Sequence, residues 1–229
     1  SGRHRDLHGL GSILLIAMRK QTLVKLGLGV IALVVVPWLF LRTLQDTIAT
    51  PYSIDTTALS GWTLVLPDPA SSSVSALGLQ SPGLFSSLLF DQLFDRTMAS
   101  MTSPNDGLLP IVLARELRGD IRSVLSPEEL LQLARAAKLD ETRLEPVCMA
   151  VKREPFAGRT REFFFVVFDI PEVSAFRGQL GRLAADRGVL GAFGPLELIL
   201  PIAGSDARFD TWWPLEFDRE TDCQAPLGT

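Results

Sequence analysis

Cys148 and Cys223 are the only cysteines in this chain of 229 residues. Without a CxxC pair or clustered ligand spacing they do not make a metal or dithiol redox site. In an oxidising compartment they would form one disulfide, tying the acidic C-terminal tail to a strand. Closing so long a loop is worth about 4 kcal/mol in the chain-entropy account. The alternative is two unpaired cysteines, one buried in a strand and one in a mobile tail. The only histidines, His4 and His8, lie near the N-terminus. Residues 43–229 therefore hold no imidazole for a Ser-His-Asp arrangement or a histidine-bound zinc. Asp169 and Glu172 have the residue types of an acid–base pair. Their place, where an apolar strand gives way to a helix, explains them more simply as carboxylates at the positive end of a helix dipole.

Two further groups invite a functional assignment. "GLGVIA", residues 27–32, fits a GxGxxA dinucleotide fingerprint, but no strand precedes it and apolar sequence surrounds it. Gly27 and Gly29 are better suited to letting another helix approach closely. Trp62, Trp212 and Trp213 are candidates for a partner surface, because tryptophan combines large apolar area with one donor. The same rings would serve equally well to complete a core. No catalytic, cofactor-binding or metal-binding residue is assigned, and no cofactor is expected.

The elements that position these residues begin with "KLGLGVIALVVVPWLFLRTL", in which Lys25 is the only charge before Arg42. Residues 23–42 have the length and hydropathy of a single transmembrane helix, with no polar face. The run is longer than the apolar region of a secretory signal, and bulky residues follow its centre. Residues 1–42 carry a balance of +5 and residues 43–229 one of −9, giving the net charge of −4. The excess of Lys and Arg before the span places the N-terminus in the cytoplasm and residues 43–229 outside, on the periplasmic side of a bacterial inner membrane. The acidic balance there argues against nucleic acid as a partner. Residues 1–22 form a short arm whose apolar run, "GLGSILLIAM", is too short to cross a bilayer and suits an interfacial helix.

The outer part, residues 43–229, is large enough for one domain with its own core. Residues 67–83, "PDPASSSVSALGLQSPG", read as a Ser/Pro/Gly-rich loop. "GWTLVLP" (61–67) reads as a strand. Ser81-Pro82 opens a helix through Leu84, Leu88, Leu93, Phe94 and Met98. Ser126-Pro127-Glu128-Glu129 is a capping box before another helix. Strands follow at 147–152 and 162–170, joined by a broad loop containing Gly158. A helix then starts at Pro171 with Val173, Phe176, Leu180 and Leu183 on one face and ends at Gly188, before a last strand at 196–202. The order β-α-β-β-α-β predicts an α+β, ferredoxin-like domain with an enlarged first helical connection.

Architecture and missing chemistry together point to a non-catalytic accessory subunit of a larger membrane complex, in contact with the bilayer and with other membrane-protein subunits. A respiratory or photosynthetic assembly is one setting. The alternatives are a membrane-anchored envelope enzyme that uses carboxylates and a periplasmic ligand-binding or sensory domain.

Overall fold

The computed structural model describes residues 31, 33–39, 50–68, 74–104, 107–212 and 215–228. The chain divides into two compact units, Ser1–Ile48 and Ala49–Thr229. In the first unit the described residues, Ile31 and 33–39, are helical. Seven consecutive helical residues rise roughly 10 Å, about a third of a bilayer's hydrocarbon thickness. Among the described residues no helix is long and apolar enough to cross a membrane. This overturns the expected single transmembrane helix at 23–42, most of which lies outside the described residues.

The second unit has an α+β fold, but not the ferredoxin-like one. Eight strands run in chain order as β1 (Tyr52–Ser53), β2 (Thr63–Val65), β3 (Ser75–Gln80), β4 (Leu108–Leu113), β5 (Glu145–Phe156), β6 (Arg159–Asp169), β7 (Leu198–Gly204) and β8 (Cys223–Gly228). They form a five-stranded sheet, β1-β8-β5-β6-β7, and a three-stranded sheet, β2-β3-β4. All pairings are antiparallel except that of β1 with β8. A ferredoxin-like fold would have put the strand at 61–67 into one sheet with the three later strands. Instead it pairs with β3, which the Ser/Pro/Gly composition of 67–83 conceals. Leu77 and Leu79 of β3 are fully buried, and the Ser75 hydroxyl is satisfied by the Leu77 carbonyl at 2.9 Å. Gly78 is required there, because a Cβ would sit 2.7 Å from Leu108 Cδ1 and 2.9 Å from the Leu109 carbonyl oxygen.

The helices are α1 (Gly83–Thr97), α2 (Asp120–Val124), α3 (Pro127–Ala136), α4 (Pro171–Asp186) and the single turn α5 (Arg219–Asp222). α3 begins with one half of the expected capping box, Ser126 Oγ accepting from the Glu129 N–H at 3.1 Å. The Glu129 carboxylate is gripped chiefly by Arg187 at 2.6 and 3.0 Å, which holds its pKa below the usual glutamate range. α4 buries Val173, Phe176 and Leu180 along one stripe, and Gly188 follows it at a positive φ of 90°.

β6 explains its own unbroken apolar sequence. Phe164, Val166 and Phe168 enter a large core shared with the three-stranded sheet and the helices. Phe163, Phe165 and Val167 point the other way, into a smaller core completed by Cys148, Ile199 and Trp212. A strand covered on both faces has no polar alternation to show. β5 and β6 are joined by two residues, not by a broad loop, since the pairing runs to Phe156 and Arg159. Ala157 and Gly158 have φ of 49° and 76°, the left-handed pair that a tight hairpin requires.

The second unit is also tied together by one buried cation. Arg177 of α4 is 3% exposed. Its guanidinium donates to the Ile111 carbonyl of β4 at 2.8 Å, to both Glu116 carboxylate oxygens at 2.7 and 3.1 Å, and to the Gly194 carbonyl. Glu116 Oε2 also accepts the Leu113 N–H at 2.8 Å. Arg177→Met should lower unfolding free energy by about 3–5 kcal/mol, because it takes the balancing cation from the half-buried Glu116 carboxylate and leaves two carbonyls without their donor. A urea midpoint within error of wild type would show that the cluster contributes nothing. Ala157→Asn should have the opposite sign, raising stability by about 1 kcal/mol in the same assay, since asparagine tolerates left-handed backbone better than alanine.

Candidate functional site

The structure places the two cysteines within bonding reach of each other. Cys148 on β5 and Cys223 at the start of β8 form a disulfide, with Cα atoms 5.8 Å apart and a sequence separation of 75. β8 lies beside β5, Cys148 opposite Pro226 and Ala150 opposite Cys223. The Lys152 ammonium reinforces the junction by reaching Asp222 Oδ2 at 2.9 Å, and the same oxygen accepts the Asp218 N–H at 3.0 Å. Each of these groups fixes the C-terminal strand to the sheet.

The tryptophans occupy interior positions. Trp62 is 4% exposed, donates its indole N–H to the Ala58 carbonyl at 3.0 Å, and packs edge-on against Phe85 and Phe168. Trp212 is 3% exposed and stacks on Phe163, with the Arg161 guanidinium 4.1 Å from its ring centre. Its buried indole nitrogen has no hydrogen-bond partner among the described residues. Both rings spend their area on the core. Trp213, Gly27 and Gly29 lie outside the described residues.

Asp169 and Glu172 flank the start of α4, where Glu172 lies in the first turn. Arg219 stands 3.9 Å from Asp169 at an exposed position. Both carboxylates are exposed to solvent. Among the described residues no group of His, Cys, Asp and Glu is arranged to hold a metal ion. A cleft of about 420 Å³ opens between the segment 56–62 and the loop after α3, with Leu59 and Trp62 on its wall beside Thr56, Asp140, Glu141 and Arg143. Its carboxylates are exposed, and Glu141 is paired with Lys138 at 3.3 Å.

A surface feature stands out more clearly than any cavity. α1 buries Phe85, Leu89 and Leu93, and it exposes Leu84, Leu88, Phe94 and, at its C-cap, Met98. The opposite edge of the helix holds the chain's entry into this unit. Gln92 brackets Ser53, accepting its N–H and donating to its carbonyl, each at 2.8 Å. Arg96 donates to the Thr50 and Pro51 carbonyls at 2.5 and 2.7 Å and covers the Tyr52 ring at 3.7 Å. Burial pushes the Tyr52 phenol's pKa up, against the opposing pull of Arg96. The signal for this second face was present in the sequence as apolar residues at helical spacing on two sides of one helix.

Comparison of the chain with protein-family models, curated proteins and solved structures found no match.

Peptide mapping without reductant should recover the Cys148 and Cys223 peptides linked, and reduction should cost up to about 4 kcal/mol of stability. Two freely alkylated thiols in protein taken from its native compartment would show that the bond does not form there.

Proposed function

We propose that this chain is a non-catalytic accessory subunit of a larger membrane-associated assembly, working by association and not by turnover. The observation that carries the proposal is the exposure of apolar side chains in the first unit. Ile31, Leu33, Val34, Val36 and Trp38 are each more than half exposed, Leu33 by 77%. So continuous an apolar surface has to be covered by lipid or by apolar protein. Leu84, Leu88, Phe94 and Met98 on the second unit support the same reading. The Cys148–Cys223 disulfide favours an oxidising compartment for that unit, such as the periplasm. A second reading, a ligand-binding or enzymatic domain, draws on the cleft beside Trp62. It has less behind it, because the carboxylates there are exposed and one is neutralised by a lysine.

Native protein purified in mild detergent should bring other subunits with it in fixed stoichiometry, and a chain beginning at Ala49 should fold but recover them at least about tenfold less well. Recovery of the full chain alone, with a turnover activity that Asp140→Asn abolishes, would replace this reading with the enzymatic one.

A further inference from the structure

Resting on that reading, we infer that the outer face of α1 is the docking surface for a partner helix that is apolar but carries lysine or arginine near its middle. The face has a composition that selects its cover. Leu84, Leu88, Phe94 and Met98 surround Asp91 and Asp95, which the 3.6-residue period puts in the middle of the same exposed face. Asp91 and Asp95 are four apart, a spacing at which like charges repel along a helix. Neither makes an ion pair among the described residues. The one cation of α1, Arg96, is turned away and spent on the Thr50 and Pro51 carbonyls and the Tyr52 ring.

Charge complementarity decides among the possible covers. An entirely apolar helix would desolvate two carboxylates without compensation. An anionic bilayer would repel them. A second copy in a two-fold dimer would set the same patch against itself, aspartates against aspartates. An apolar helix with central Lys or Arg side chains covers the four apolar groups, pairs the carboxylates and relieves their mutual repulsion.

The test is photo-cross-linking of the full chain in its native membranes, with a benzophenone amino acid at Leu88 and, as an off-face control, at Leu190, which is also highly exposed. Leu88 should give one major adduct, and mass spectrometry should place it on an apolar helical segment containing Lys or Arg. The double charge reversal Asp91→Lys with Asp95→Lys should cut its yield at least about tenfold, with unchanged circular dichroism and melting. Should that variant fold poorly, Asp91→Asn with Asp95→Asn removes the charge with little change of shape and should still reduce the adduct. An adduct to lipid, to a second copy or to a segment without a cation would overturn the inference, as would no adduct or one indifferent to the reversal. Subunits that co-purify while Leu88 stays unlinked would overturn the assignment of this face and leave the subunit reading standing. Loss of co-purification from the unmodified chain would overturn both.

Discussion

Arg177 is the group on which the arrangement of the second unit depends. A guanidinium 3% exposed is tolerable only when its donors are met, and here they are met from three separate places in the chain: β4, the turn after it, and the segment beyond α4. Apolar packing alone brings the two sheets together but does not fix how they sit, since hydrophobic contact is non-directional. The planar fork of Arg177 adds direction, because Glu116 must present both oxygens in one plane while also closing the turn to Leu113. α4 is thereby fixed to the end of the three-stranded sheet while its apolar stripe lies in the common core.

The helices α3 and α4 and the strands β5, β6 and β7 were legible because local signals and tertiary demands agree there, whereas α5 and β8 were read as a tail. Pro171 and Gly188 punctuate α4, Ser126 caps α3, and the phenylalanines of β6 require cover on two faces. The three-stranded sheet was not legible. β3 is half serine, glycine and small residues, and what makes it a strand is Gly78 lying flat against Leu108 and Leu109, a contact that no window around residue 78 contains. β1 has two residues and exists only because β8 passes beside it. The order of elements therefore resembled a simpler fold than the one the chain adopts.

The surface was harder still to read. Tryptophan chemistry suits cores and interfaces alike, and burial decides between them; here Trp62 and Trp212 are core residues. The apolar residues left outside are leucines, a phenylalanine and a methionine on α1, where either face satisfied the helical period. Arg177 could not be anticipated either. An arginine between Phe176 and Gly178 on an amphipathic helix reads as a boundary residue until Glu116 is seen opposite.

The pairing of β1 with β8 has a mechanical consequence. A pull on the chain where it enters this unit would be received by Tyr52 and Ser53, which run parallel to Leu227 and Gly228. The backbone bonds there are few, but Gln92 and Arg96 share the strain from the side. Force reaching β8 travels back to Cys223 and crosses a covalent bond into the long β5–β6 hairpin at Cys148. With the disulfide intact, the entry strand β1 and the β5–β6 hairpin are joined through β8 by one path that is covalent at Cys148–Cys223. With it reduced, the same pull is resisted by hydrogen bonds, the Lys152–Asp222 pair and the packing of Ala225 and Leu227 on the core.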